Sequence, residues 1–185
     1  MKYLAMKYLR AWGLIAFLFI FGCASTADLK VLSDYDETAT FNDFQTFVIC
    51  IDDLFVDNSN YPKHDNNMVR QLIGKEIEGQ MESLGYRTNV IKPELQAGFQ
   101  LLIVQEEATF TNCDLQENYN YWQTCTIKNI TYTEETLVLY VSDLQKNQVI
   151  WQASVPCDTN KPEQVLKSYV MDLVDKLFDK YPKTN

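Results

Sequence analysis

The chain has 185 residues and is acidic, with 25 Asp and Glu against 16 Lys and Arg and a formal charge of −9. This excess of negative charge argues against binding to the phosphate backbone of nucleic acids, and we expect no nucleic-acid partner. Hydrophobic residues make up 46% of the chain, which suffices for the core of one domain of ordinary size.

The first 22 residues have the pattern of a secretory signal. Lys2, Lys7 and Arg10 precede an uninterrupted apolar run over 11–22. A membrane-spanning helix needs about 20 apolar residues, so this run is too short to cross the bilayer. We therefore expect 1–22 to be removed as a signal peptide.

The end of this signal resembles a bacterial lipobox. Residues 20–23 read Ile-Phe-Gly-Cys, and in a lipobox the cysteine is lipidated and becomes the first mature residue. This resemblance implies that Cys23 carries the lipid and that 23–28 form a short tether. The alternative is ordinary signal cleavage after Ala24 or Ala27, which would leave no lipid.

The lipid anchor predicts where the protein resides. One acyl chain binds a membrane only marginally, whereas the two or three chains of a bacterial lipoprotein hold it there, palmitate among them. Ala24 follows Cys23 where a retention signal of Gram-negative lipoproteins would have aspartate. This favours the outer membrane, with the domain 29–185 facing the periplasm.

Strand patterns recur along the domain. Short runs rich in β-branched and aromatic residues, several of them alternating, predict strands bounded by polar turns. The last two predicted strands flank a polar turn over 143–147 and form a hairpin, whereas 106–126 is the least regular stretch. The predicted strands cover 29–35, 46–51, 86–91, 99–104, 136–141 and 148–155.

The first of two predicted helices covers 67–84. Its apolar residues fall three or four apart and form one stripe. Asp65 or Asn66 is suited to cap its start, and Gly85 is suited to the left-handed conformation at its end.

Glycines interrupt this first helix at Gly74 and Gly79. Each weakens a helix by about 1 kcal/mol relative to alanine, unless it lets the helix approach the sheet closely. A second helix begins at Pro162 and ends before Pro182. The pattern as a whole predicts an α+β domain of two layers, in which two amphipathic helices pack on a mostly antiparallel sheet of five or six strands.

Four cysteines remain after Cys23, and an even number in an exported domain favours disulfides. We favour the pairs Cys113–Cys125 and Cys50–Cys157; the alternative is that these residues are buried free thiols. We expect no metal site, because the chain has no Cys-x-x-Cys motif and a single histidine.

The order of four stretches resembles that of a known family. They are Val-Leu-Ser-Asp-Tyr-Asp at 31–36, Leu-Gly-Tyr-Arg at 84–87, the hairpin over 136–151, and a last helix before Tyr-Pro at 181–182. Together they resemble the small Gram-negative lipoproteins that contain domain of unknown function 4136. The resemblance implies an architecture and a location, and it brings no catalytic residues.

The chain lacks the usual signatures of catalysis. A nucleophile needs a base and a group that orients the base, and no such motif occurs. His64 follows Pro62 in a polar loop, where we expect a surface residue. Glu106 and Glu107 are neighbours on a strand pattern and therefore point to opposite faces. We expect neither an enzyme nor a cofactor.

Aromatic residues cluster between two of the cysteines. Tyr119, Tyr121 and Trp122 lie on the segment between Cys113 and Cys125, and aromatic side chains held on a loop anchor protein partners or stack on sugars. The alternative is that they fold back onto the core.

These observations favour a non-catalytic, membrane-anchored envelope lipoprotein that binds or scaffolds another envelope component, a protein above all. The alternative is a module that binds or assembles glycan, peptidoglycan or lipid through the aromatic loop between Cys113 and Cys125.

Overall fold

The computed structural model describes residues 30–114 and 124–182. Within this part, six strands form one sheet that is covered on one face by two helices. Two short 3-10 turns, Phe41–Asp43 and Ile51–Leu54, flank the second strand. The elements are β1 (Leu32–Tyr35), β2 (Thr46–Ile49), α1 (Asn67–Ser83), β3 (Arg87–Thr88), β4 (Leu95–Asp114), β5 (Thr124–Asp143), β6 (Gln148–Cys157) and α2 (Glu163–Phe178).

The sheet has the strand order β1-β6-β5-β4-β2-β3. β2 runs parallel to β3 and β4, and the remaining neighbours are antiparallel. This arrangement confirms the predicted α+β class, with its mostly antiparallel sheet and two helices.

The first helix begins and ends as its sequence predicts. The Asn66 side chain accepts a hydrogen bond from the backbone N–H of Val69 at 3.1 Å, so Asn66 is the cap. Asp65 instead pairs with Arg70, and Gly85 has a φ of 96° just after the helix. The buried face of α1 consists of Val69, Ile73, Gly74, Ile77 and Met81.

The core lies between the helices and one face of the sheet. Odd-numbered residues of β4 and β5 point to this face, and they are fully buried near the middle of the sheet. The second helix contributes an apolar stripe of the predicted kind, and Pro162 is its N-cap. The core residues of these three elements are Leu95, Ala97, Phe99, Leu137, Leu139, Val141, Leu166, Val170, Leu173, Val174, Leu177 and Phe178.

The two glycines of α1 are expected to respond in opposite ways to substitution by alanine. A Cβ on Gly74 would overlap Leu54, whereas a Cβ on Gly79 meets nothing within 4 Å. Gly79→Ala should therefore raise the free energy of unfolding by about 0.5–1 kcal/mol, and Gly74→Ala should lower it by about 1 kcal/mol because Leu54 must move. Urea denaturation followed by circular dichroism measures both changes in the free energy of unfolding. If the two substitutions stabilise the protein equally, Gly74 does not need its close approach to Leu54.

Neither helix in 30–114 and 124–182 is long and apolar enough to cross a bilayer. The predicted signal peptide 1–22 and the tether 23–28, with Cys23, lie outside the described residues. So do Tyr119, Tyr121 and Trp122, whose predicted role stays a prediction.

The prediction of an irregular stretch over 106–126 was wrong for its described parts. β4 and β5 are each 20 residues long, and they pair without a register shift from Leu95 opposite Asp143 to Asp114 opposite Thr124. Threonine and aromatic or β-branched residues favour strands, and here their pairing with each other outweighs the interspersed charged residues.

The predicted Cys50–Cys157 disulfide is also wrong, because both residues are free thiols. Cys50 follows β2 and Cys157 ends β6, with β4 and β5 between them. Three strand spacings separate them by roughly 14 Å, and a disulfide requires Cα atoms within about 7 Å. Cys113 and Cys125 lie directly opposite each other in the backbone register, and their disulfide stays a prediction.

Candidate binding surface

A two-stranded ribbon projects from the end of the sheet. β6 stops where Cys157 lies opposite Glu135, and β2 stops where Ile49 lies opposite Ala97. Beyond these points β4 and β5 pair only with each other among the described strands. We call the segments 104–111 and 127–134 the ribbon.

One face of the ribbon carries most of its large apolar side chains, together with the charged residues Glu106, Lys128 and Glu134. The even-numbered residues of both strands point away from the side that the helices cover, because side chains alternate along a strand. Ala108 lies opposite Ile130 on this face. Four large side chains of this face, and Leu102 just before the ribbon on the same face of β4, form what we call the apolar stripe. They are between 39% and 56% exposed: Leu102, Val104, Phe110, Ile130 and Tyr132.

The opposite face of the ribbon is mainly polar. Gln105, Glu107 and Thr133 lie there, and the Thr109 hydroxyl donates a hydrogen bond to the Asn129 side chain at 3.1 Å. Ile127, 68% exposed, is the apolar exception. The ribbon is therefore amphipathic, although no described layer covers its apolar side.

Glu106 and Glu107 lie on opposite faces of β4, as their adjacent positions predict. The Tyr132 hydroxyl donates a hydrogen bond to the Glu106 carboxylate at 2.9 Å, within the apolar stripe. This hydrogen bond and the charge of Glu106 raise the pKa of Tyr132 above its ordinary value. The carboxylate therefore positions an aromatic side chain.

A polar cluster lies where the ribbon joins the sheet. Glu135, with a side chain only 2% exposed, accepts hydrogen bonds at 3.0 Å from the Thr159 backbone N–H and at 2.6 Å from the Thr159 hydroxyl. The Nδ1 atom of His64 lies 3.0 Å from the same carboxylate. The predicted surface position of His64 holds only in part, because its side chain is 19% exposed and contacts the buried Glu135.

Asp158 completes this cluster on the solvent side. Its carboxylate lies 3.9 Å from His64 Nδ1 and 2.7 Å from the Lys161 ammonium. The hydrogen bond from Lys161 is the main reason that the pKa of Asp158 falls below its ordinary value. Ligand atoms of His64, Glu135 and Asp158 all lie within 4.8 Å of one another, so this trio has the composition of a metal site.

The Cys157 thiol lies beside this cluster. Burial raises its pKa, and the charge and hydrogen bond of Glu135 raise it further. A thiol in this environment stays protonated at neutral pH and is a poor nucleophile.

A cleft of about 760 Å³ opens at the other end of the sheet. Glu94 is the carboxylate at its wall, and it accepts hydrogen bonds from the backbone N–H groups of Gln45 and Thr46 and from the Thr46 hydroxyl. These bonds lower the pKa of Glu94. All three bonds go to Oε2 of Glu94, and they join the start of β2 to the start of β4.

Solved structures share this fold at low sequence identity. A DUF4136 family protein from Bacteroides thetaiotaomicron is 14% identical with a TM-score of 0.52, over 84% of this chain and 96% of that one. A PDZ domain protein from Parabacteroides distasonis is also 14% identical, with a TM-score of 0.51 over 85% of this chain. This chain spans only 36% of that second protein's length.

The PelC dodecamer from Paraburkholderia phytofirmans is more distant. It is 9% identical with a TM-score of 0.44, over 81% of this chain and 94% of that chain. No curated protein matches the sequence.

The family assignment agrees with the order of motifs along the chain. Residues 31–183 match the family described as "Domain of unknown function (DUF4136)". The match includes all six strands, both helices and the ribbon. The chain therefore belongs to the DUF4136 family.

Proposed function

We propose that this protein is a non-catalytic lipoprotein of the bacterial envelope that binds another envelope protein through the ribbon. In this proposal a lipid on Cys23 holds the protein at the membrane, with the outer membrane favoured by Ala24. The lipobox-like residues 20–23 support the anchor. The observation that carries the binding role is the exposed apolar stripe.

Burying the apolar stripe against a partner would be favourable. Fully burying a side chain such as Leu102, Val104 or Phe110 contributes about 1.5–3 kcal/mol. Single exposed apolar residues are ordinary, whereas a contiguous exposed patch is typical of an interaction site. Phe110 and Tyr132 are also of the types that most often anchor protein interfaces.

The edges of the ribbon offer a second means of binding. Among the described strands, none pairs with the outer edge of β4 after Ala97 or with the outer edge of β5 before Glu135. Free backbone N–H and C=O groups on such edges accept an extended segment of a partner as an added strand. A partner strand would then lie beside the apolar stripe.

Photo-crosslinking in intact cells tests this proposal. A photoreactive residue at position 110 lies on the apolar stripe, and one at position 109 lies on the polar face of the same strand, as a matched control. We expect a discrete protein adduct from position 110 and little from position 109, to be identified by mass spectrometry. Equal yields from both faces, or no protein adduct, would contradict binding through the apolar stripe. A glycan or lipid adduct would instead favour the alternative function.

Paired substitutions test whether capture depends on apolar contact. Phe110→Ser with Ile130→Ser should reduce the yield of a crosslink placed at position 104 at least tenfold, because two exposed anchors are lost. The free energy of unfolding should change by less than about 1 kcal/mol, since both residues are exposed. Thr109→Ala with Thr131→Ala on the polar face is the control and should leave the yield unchanged.

The anchor has a separate test. Cys23→Ala should abolish incorporation of labelled palmitate and leave an uncleaved precursor, since lipidation precedes cleavage in lipoproteins. Cys50→Ala should still be labelled and processed. If Cys23→Ala is processed like the unchanged chain, the signal is cleaved in the ordinary way and the proposal of a lipid anchor on Cys23 is contradicted.

A further inference from the structure

We propose that His64, Glu135 and Asp158 bind a divalent transition-metal ion of the zinc class at the base of the ribbon. The proposal concerns a different site from the apolar stripe and does not depend on how the ribbon is used. The three residues come from three separate segments: the loop before α1, the point where β5 leaves the sheet, and the turn after β6.

One of the three ligands is held in place before any ion binds, and Thr159 lies against a second. The Glu135 carboxylate is buried and held by the backbone N–H and hydroxyl of Thr159. The same hydroxyl lies 2.5 Å from the carbonyl oxygen of His64, and its single proton is donated either to this carbonyl or to the carboxylate. Such outer hydrogen bonds are what keep ligating side chains oriented in metal sites.

The distances between ligand atoms suit one ion. Ligands at about 2.0–2.2 Å from a tetrahedral zinc ion lie roughly 3.3–3.6 Å from each other. His64 Nδ1 lies 3.0 Å from Glu135 and 3.9 Å from Asp158, on either side of this range. Asp158 is 53% exposed, and a shift of a few tenths of an ångström would bring it into range while its Oδ1 stays near the backbone N–H of Asn160, which now donates to it at 3.1 Å.

The charges of the cluster favour a cation. Glu135 and Asp158 bring two negative charges, and Lys161 bonds to the outer oxygen of Asp158. A buried carboxylate is costly unless a positive charge compensates it. A divalent ion between the imidazole and the two carboxylates would supply that charge and bridge all three groups.

The donor atoms indicate the class of metal. One imidazole nitrogen with two carboxylate oxygens suits zinc, cobalt or manganese, whereas calcium and magnesium prefer oxygen alone. Three protein ligands leave a fourth position of a tetrahedral ion for water or for a group from another molecule.

The test uses the full chain in detergent, stripped of metal with a chelator. Zn²⁺ is titrated by calorimetry, and Co²⁺ is titrated by absorption spectroscopy as a probe of the donor atoms. We expect saturation at one equivalent, a tetrahedral Co²⁺ spectrum without a thiolate charge-transfer band, and a rise in melting temperature. His64→Ala and Asp158→Asn should each weaken binding at least tenfold.

Glu134→Gln is the matched control. Glu134 is the exposed strand neighbour of Glu135 and points to the other face, so its loss should leave the affinity unchanged. Circular dichroism of each variant without metal checks that it is folded, and His64→Gln replaces His64→Ala if that variant is not. The proposal is overturned by uptake that does not saturate at one equivalent, by a thiolate band, or by equal affinity in the histidine variants.

Discussion

Replacing Trp151 with alanine is expected to lower the free energy of unfolding by about 3–5 kcal/mol. Trp151 lies on β6 and is 1% exposed, and its ring lies 5.2 Å from the ring of Phe178 and 5.0 Å from that of Tyr181. The cavity would open where the end of α2 packs on the sheet. A close-packed core relaxes only partly around such a cavity, which adds to the transfer free energy lost.

The Trp151→Phe variant separates packing from polarity. The Nε1 atom of Trp151 is buried and donates no hydrogen bond within the described part of the protein. An unpaired buried donor costs about 1–3 kcal/mol. Removing it therefore offsets part of the stability that is lost through the small cavity left by phenylalanine. We expect Trp151→Phe to cost only about 1–2 kcal/mol.

Urea denaturation of the full chain measures these differences. Phe110→Ala is the control, because Phe110 is a large aromatic residue that is 56% exposed and should cost less than about 1 kcal/mol to truncate. Equal losses for Trp151→Ala and Trp151→Phe would show that the aromatic contacts do not hold α2 on the sheet.

The two helices were predictable because their signals are local. Apolar residues three or four apart form the stripe that α1 buries, and Asn66 and Gly85 fix its ends within the chain itself. The β5–β6 hairpin was predictable for the same reason, since its strands are adjacent and their turn is polar.

The ribbon escaped prediction because its pairing extends over long distances and its charges hide the alternation. Glu106 lies among the apolar even-numbered residues of β4 and Lys128 among those of β5, which interrupts the pattern expected of a half-buried strand. The signal that was present is the even spacing of Leu102, Val104, Ala108 and Phe110. This spacing indicates one apolar face of a strand, but it does not identify the partner that covers the face.

The cluster at His64 could not be found from spacing at all. His64 and Glu135 are 71 residues apart, and Thr159 joins them from a third segment. A lone histidine in a polar loop is most often exposed, so the sequence around His64 did not indicate its contact with Glu135. These groups meet in the folded protein because β6 ends with Cys157 opposite Glu135, which places Thr159 of the following segment beside that carboxylate.

Gly98→Ala is expected to lower the free energy of unfolding by about 2–3 kcal/mol, although strand propensity favours alanine. Gly98 lies directly opposite Tyr140 in the antiparallel pair of β4 and β5. A Cβ at this position would overlap the ring end of Tyr140 and the Asp53 carboxylate. The glycine is therefore needed for a close approach.

The displaced groups belong to one hydrogen-bond network. The Tyr140 hydroxyl donates to Asp53 at 2.6 Å, and the same carboxylate oxygen accepts the backbone N–H of Phe99 at 3.0 Å. Burial and the bond to Asp53 raise the pKa of Tyr140, so it remains the donor across the neutral range. Shifting the tyrosine would weaken this network, and each broken bond costs about 1 kcal/mol.

A double-mutant cycle tests this explanation. The loss of unfolding free energy caused by Gly98→Ala should be smaller by at least about 1 kcal/mol in a Tyr140→Ala background, because the ring that a Cβ would meet is gone. Gly79→Ala, at a position with open space, should have the same effect in both backgrounds. Equal penalties for Gly98→Ala with and without Tyr140 would mean that the glycine is required by the backbone rather than by the ring packed on it.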